Sequence, residues 1–371
     1  SVTESDVRAR GAAHFEDLLT LVPNLSASAG ASRQRFFQIR GIGERSQFLE
    51  PINPSVILLQ DGIDISGLGS ALTTFDTSQV DVFRGPQGAI MGAGALAGLI
   101  SIETQPPTGD AKLSVAMGME NYSGRRLEVV ANAPLSNTLS ARLAHQRFAS
   151  DGWIENTYLG VDDTNNRDEQ TTRFALRHVS GQHSVDMKVN KVDVKNGYDA
   201  FSLDNTRETL SDQPGEDSID MTSALIRWNR FGEDYTSMIQ VNDVSADTVY
   251  SYDEDWSYVG IRPFWEYSSF DSYARDLKRQ TIEWRLTPSN SDATDWVAGV
   301  YARQDEESLN RDYTYLDAAF GSLNKADTLA LYGQLSHSLT DDITLTLGTR
   351  LEQREVNYRD SAGVTESFND N

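Results

Sequence analysis

Cysteine is absent from the 371 residues, which excludes disulfide scaffolds, thiol nucleophiles and thiolate metal sites. Basic residues are outnumbered by acidic ones, 32 to 55, for a formal net charge of −23. A surface of that sign repels phosphate, so no nucleic-acid partner is expected. Nowhere do about 18 apolar residues run together, the minimum for a bilayer-crossing helix, and mean hydropathy is −0.46. The opening Ser1-Val2-Thr3-Glu4 lacks the basic stretch and apolar run of a secretory signal, so the chain is expected either to stay inside the cell or to have had its signal removed. Five histidines at 14, 145, 178, 183 and 337 are too scattered for a zinc-protease site. No catalytic constellation emerges, and no enzyme activity, metal or cofactor is expected. Two acidic runs, Asp162 to Asn166 and Asp253-Glu254-Asp255, offer oxygen ligands but lack the glycine and terminal glutamate of an EF-hand loop, and are read as solvated loops.

What the chain does contain changes style once. Gln105-Pro106-Pro107-Thr108-Gly109 is a cluster of turn formers, which sets a domain boundary there: 1–108 and 109–371. The first part has seven arginines against eleven carboxylates, the second 25 basic residues against 44 acidic. The first part opens with a short helical pattern, Phe15, Leu18, Leu19 and Val22, stopped by Pro23. Strand-like segments follow at Ser55 to Gln60, closed by Asp61-Gly62, at Val80 to Arg84 and at Leu99 to Thr104. A small α+β domain with long glycine-rich loops is predicted.

The second part is a procession of roughly ten-residue segments of alternating polarity, the repeated signature of a membrane β-barrel. Ile343, Leu345, Leu347 and Leu351 share one face. Val185, Met187 and Val189 oppose Asp186, Lys188 and Asn190, and Ile282, Trp284 and Leu286 oppose Glu283 and Arg285. The apolar face is expected to meet lipid and the polar face water. Short turns near Pro134 to Asn137, Gly181-Gln182, Phe231 to Glu233, Pro288 to Ala293 and Asp341-Asp342 take turns with long polar connections at about 150–169, 192–218, 247–273, 304–326 and 357 onward. Small turns on one rim and large loops on the other are how outer-membrane barrels are built. Trp228, Trp284 and Trp296 lie near short-turn ends, where an interfacial girdle falls. A two-sheet sandwich also alternates, but the segment number and the regular short-and-long rhythm argue against it.

These phrases have a family likeness. Asp17-Leu18-Leu19 with Val22-Pro23-Asn24, Ile39-Arg40-Gly41-Ile42-Gly43, Val56 through Asp61-Gly62, Val80 through Arg84-Gly85-Pro86-Gln87-Gly88, and Gly92 to Gly98 leading into Ile100 to Pro107 resemble, in that order, the plug of TonB-dependent outer-membrane receptors. The second part resembles the opening of their barrel. A dinucleotide-binding reading of Gly92 to Gly98 fails, because Leu99 to Thr104 resumes strand patterning where a crossover helix is required. The glycines allow turns or close backbone approach, and Pro86 stiffens the turn after Arg84. Arg40 and Arg84 stand where the family places plug arginines, which implies pairing with carboxylates on the wall.

The resemblance implies a bacterial outer-membrane receptor for a scarce nutrient such as a ferric siderophore, with outer-membrane lipid, an iron chelate and a TonB-type periplasmic protein as partners. The alternative is a passive porin-like or adhesion barrel; an outer-membrane esterase, protease or phospholipase is remote. Plug-loop residues Arg33, Arg35 and Phe36, then Arg45, Gln47 and Phe48, mix cationic and aromatic groups suited to an anionic, ring-bearing chelate. Tyr252 and Trp256, in a loop that also carries Tyr250, Tyr258, Trp265 and Tyr267, are expected to close over it. Eleven strands are counted. That number is odd, and plugged barrels of this kind run to about twenty-two strands, so the wall is expected to be incomplete, with missing C-terminal strands and partner-binding box.

Overall fold

The computed structural model describes every residue except 29, 49–52, 93, 291–292, 341 and 371. Ala93 of the glycine-rich run, two residues of the Pro288 to Ala293 turn, Asp341 and the terminal Asn371 therefore lie outside the described residues.

The first body is built on short strands: β1 Val2–Thr3, β2 Leu25–Ala27, β3 Phe37–Ile39, β4 Val56–Gln60, β5 Ile63–Asp64, β6 Thr77–Arg84 and β7 Gly98–Thr104. Five of them form a mixed sheet in the order β1-β6-β7-β4-β5, with β4 and β7 parallel, while β2 and β3 pair separately. Phe15–Leu21 is helical as expected but wound as a 3-10 helix, whose three-residue period buries Phe15 and Leu18 together. Helix α1, Glu4–Arg10, was not foreseen: it buries only Val7 and owes its start to a capping box between Thr3 and Asp6. Helix α2, Gly88–Met91, is a single turn. Two-residue left-handed turns fall where the motifs put Arg40-Gly41 (φ 54° and 78°) and Asp61-Gly62 (φ 54° and 82°), the geometry of type I′ hairpins.

The second body is one antiparallel wall of twelve strands: β8 Lys112–Glu120, β9 Gly124–Pro134, β10 Leu139–Ser150, β12 Arg167–Ser180, β13 His183–Tyr198, β15 Gly215–Phe231, β16 Tyr235–Asp253, β17 Phe270–Pro288, β18 Thr294–Tyr313, β19 Phe320–Thr340, β20 Ile343–Asp360 and β21 Thr365–Asp370. A small parallel ladder, β11 Glu155–Asn156 with β14 Glu208–Thr209, ties two of the long loops. The wall does not close, and β8 and β21 are its edges. Strand starts after the short turns fall where the alternation put them. The far ends differ: strands continue well into the stretches read as the connections 304–326 and 357 onward, leaving turns of six residues, 314–319, and four, 361–364, and adding β21 as a twelfth strand. Polar alternation continues above the lipid-facing band, so composition there cannot separate strand from loop.

On the outside, Met187, Ile226, Val241 and Ile282 stand in one cross-strand row, and all four are exposed. This is the apolar band that a bilayer covers. The inside differs from the expectation of a uniformly wet face. Val192, Val194, Ile219, Met221, Leu225, Val244, Ala246 and Leu277 are buried in one cluster with Phe15, Leu18, Ile65, Leu68, Leu72 and Ile100 of the first body. The two bodies therefore share a core, and each fully buried side chain of this belt contributes about 1.5–3 kcal/mol to holding them together.

Candidate functional site

Above the apolar belt, toward the long loops, the inward residues become aromatic. Tyr198 ends β13, Tyr250 and Tyr252 lie near the end of β16, and Tyr273 near the start of β17. Phe48 reaches up from the plug loop into this ring, 5.1 Å from Tyr273, 6.0 Å from Tyr252 and 6.1 Å from Tyr250. Phe201 stacks on Trp256 at 4.9 Å and lies edge-on to Tyr198 at 5.8 Å. The Arg311 guanidinium lies 5.0 Å from the rings of both Tyr273 and Tyr313 while it chelates Asp271 through two bonds of 2.9 and 2.7 Å. Tyr250 donates its hydroxyl hydrogen to the Gly30 carbonyl, which fixes the floor. Rings with a guanidinium over their faces suit a planar, electron-rich or anionic ligand. Among the described residues no three carboxylates or imidazoles converge as a metal site.

The predicted contact residues divide. Phe48, Tyr252 and Trp256 are brought together at this mouth, and Arg45 is exposed, donating to the Gly41 carbonyl at 2.8 Å. Arg33, Arg35, Phe36 and Gln47 are placed differently. Arg33, 7% exposed, bridges Glu16 of the plug at 2.6 Å and Glu169 of β12 at 2.8 Å. Arg35 lies over the Phe36 ring at 4.8 Å, donates to the Gly67 and Gln47 carbonyls at 3.0 Å each, and is 3.6 Å from Glu307 of β18. Phe36 and Gln47 are buried. A cation among buried surfaces has to be paired, and these two arginines are spent on joining loop to wall. Sequence reasoning missed

Below the belt, plug and wall meet through charge, and the signs reverse the expectation. Arg40 and Arg84 are exposed and make no ion pair among the described residues; one sits at a turn tip and the other at a strand end, where hydration is retained. The plug supplies carboxylates instead. Asp61 accepts from Lys188 Nζ of β13 at 2.5 Å and from the Thr104 amide at 3.0 Å, and its carbonyl accepts from Arg227 at 2.7 Å. Asp64 meets Arg279 at 3.1 Å and Arg303 at 2.6 Å, and Asp305 completes a four-membered cluster by meeting Arg279 at 2.6 Å. Asp76 is gripped by Arg142 at 2.5 and 2.9 Å. Burial alone would raise Asp64; Arg279 and Arg303 outweigh it and hold the carboxyl at about 2. Burial, with Asp61 beside it, pushes Glu103 up to about 6. The Gly62 turn fits closely: a Cβ there would meet Arg227 and Gln240 at 3.2 Å each. Gly85, Pro86 and Gly88 lead from β6 into α2.

A stopper seated inside a curved antiparallel wall defines a plugged β-barrel. Residues 1–99 match the family model described as TonB-dependent Receptor Plug Domain. The pesticin receptor of Yersinia pestis is 24% identical over 366 residues, covering 94% of this chain and 52% of its own length. A vitamin B12 transporter of Vibrio vulnificus (strain YJ016) is 24% identical over 248 residues, 65% of this chain and 38% of its own. Among solved structures, the ferric yersiniabactin uptake receptor of Yersinia pestis superposes with a TM-score of 0.87 at 20% identity, covering 100% of this chain and 59% of that one. The ferripyoverdine receptor of Pseudomonas aeruginosa gives 0.74 at 15%, covering 99% and 52%. The chain spans about half the length of the curated pesticin receptors it matches. Residues 1–99 are a TonB-dependent receptor plug, and the chain has the plug-and-wall fold of TonB-dependent receptors.

Proposed function

We propose that the chain serves in a bacterial outer-membrane receptor that captures a ferric siderophore or similar iron chelate at the aromatic mouth and admits it past the plug, with a TonB-type periplasmic protein supplying the pull. The observation that carries this reading is the meeting of Phe48 from the plug with Tyr250, Tyr252 and Tyr273 from the wall. A ligand seated there touches the stopper and the barrel at once, so binding is felt by the part that has to move. Support also comes from relatives described as receptors or transporters of iron chelates and vitamin B12. Phe48, Tyr252, Trp256 and Arg45 are the contacts proposed for the ligand; Arg33, Arg35, Phe36 and Gln47 hold the loop that presents Phe48.

The test is a titration of the receptor with ferric yersiniabactin, ferripyoverdine, ferric citrate and vitamin B12, followed by tryptophan quenching. Trp256, stacked on Phe201 at the mouth, is the expected reporter. Saturable quenching by a ferric chelate, lost in Trp256→Phe, supports the reading. Quenching by vitamin B12 alone overturns the ligand class, and no response to any of the four, with radio-iron uptake by cells unaffected when the receptor is deleted, overturns the function.

A further inference from the structure

One vertical line through the wall separates three environments. On β17 the inward residues run Asp271 and Tyr273 at the mouth, Arg275 donating to the Gln47 carbonyl at 3.1 Å, Leu277 in the shared core, Arg279 on Asp64, and then Thr281, Glu283 and Arg285. These last three line a cavity of about 790 Å³ between the plug and strands β12 to β20. Its plug side is Ile57, Leu59, Gly62, Asp64, Leu99 and Glu103. Phe231 and Val179 place it at the short-turn rim. Arg303 and Asp64 belong both to this cavity and to the ion cluster, so the cluster is its roof. From Tyr273 to Thr281 is eight residues of one strand, roughly 26 Å.

The opposite latch has no such space behind it. Around Asp76, Arg142, Arg173 and Lys188 the void is about 20 Å³, less than a water's share of liquid volume. The glue is uneven as well. Five of the eight apolar wall residues that seal against the plug stand on β13 and β15, three on β16 and β17, and none on β18. Separating apolar surfaces costs about 25 cal/mol for each Å² exposed. Separating an ion cluster is offset when water enters to hydrate the charges, and here a water-sized reservoir adjoins it. The plug is therefore held firmly on its β13–β15 side and conditionally on its β17–β18 side.

We propose that, in the receptor read above, the ligand descends between the β4–β5 hairpin of the plug and strands β16 to β18 into this cavity, with the Asp64–Arg279–Arg303–Asp305 cluster as the gate, while the plug stays seated against β13 and β15. The proposal rests on the transport reading, and the experiment separates the two. Because the sequence has no cysteine, paired cysteines can be introduced cleanly. One receptor carries Asp64→Cys with Arg303→Cys and a matched control carries Asp76→Cys with Arg142→Cys. Each sacrifices one buried plug–wall ion pair. A short reducible bis-methanethiosulfonate linker joins each pair in cells, and radio-iron uptake is followed with the three ferric chelates of the panel above.

Linking the Asp64–Arg303 pair is expected to lower uptake at least tenfold, with recovery on reduction, while linking the Asp76–Arg142 pair leaves uptake within twofold of its unlinked value. A block at both links, at the Asp76–Arg142 link alone, or at neither overturns the path. Absence of uptake by the unaltered receptor is instead a failure of the transport reading. Native-state hydrogen exchange of the unaltered receptor in dilute urea needs neither ligand nor substitution. Amides of Val56–Asp64 are expected to open at lower urea than those of Leu68–Asp76. The reverse order overturns the proposal.

Discussion

Asp64 of the plug and Arg303 of the wall are 239 residues apart in sequence and meet at 2.6 Å, with the Asp64 side chain one-tenth and the Arg303 side chain one-sixth exposed. Such a pair is expensive to break on one side only. Asp64→Ala leaves Arg279 and Arg303 sharing Asp305, and is expected to weaken plug seating by about 3 kcal/mol. The check is the urea concentration at which protease begins to cut the plug. An unchanged midpoint means that the cluster holds nothing.

Gly98 stands at the head of β7 with φ 151°, and a Cβ there would lie 2.1 Å from the Phe83 carbonyl oxygen and 2.8 Å from Ile39 Cδ1. Backbone cannot move aside as a side chain can. Gly98→Ala is expected to cost more than about 4 kcal/mol and to leave the plug protease-sensitive in buffer. Gly109→Ala, where nothing lies within 4 Å, is expected to stay within about 0.5 kcal/mol of the parent.

Acid and base act on the plug in opposite senses. Glu103 carries a carboxyl raised to about 6, so the folded plug prefers it protonated. That preference is complete below its ordinary value near 4.5 and is lost as pH rises through 6. Asp64 is held at about 2. Its contribution is present above its ordinary 3.8 and disappears as pH falls toward 2. Plug protection in urea is expected to be greatest near pH 4 to 5. Glu103→Gln is expected to remove the decline between pH 4.5 and 6.5, worth about 1 to 2 kcal/mol. A variant that keeps the parent's decline contradicts the assignment.

At the mouth, Phe48→Ala removes three ring contacts. Aromatic contacts of this kind are worth about 0.5–1.5 kcal/mol each, and a loss of about tenfold in chelate affinity is expected by quenching titration. Arg40→Ala and Arg84→Ala, whose side chains point to solvent without ion pairs among the described residues, are expected to change affinity and protease midpoint by less than twofold and about 0.5 kcal/mol.

How much of this was legible in the sequence depends on what each residue answers to. Local rules were readable. Asp61-Gly62 and Arg40-Gly41 announced left-handed turns because few other residues tolerate them, and the period of two fixed which side of β13 and β17 faces lipid. Phe48, Tyr252 and Trp256 were found because a mouth needs rings on loops. What depended on partners far away in sequence was not readable. Nothing near Asp64 says that it meets Arg279 and Arg303, and the same alternation that exposed Met187 could not say that Val192 and Val194 leave water for a shared core. The plug arginines misled because position in a motif says where a charge stands, while burial decides whether it needs a partner.

The central claim is that residues 1–104 form a stopper sharing a core with the wall. Single-channel recording in planar bilayers tests it most directly, comparing the receptor with a form lacking the plug. The account predicts that the intact receptor stays closed to ions and that removal of the plug produces a large, steady conductance. Equal, steady conductance with and without the plug would contradict it and make the wall a passive pore.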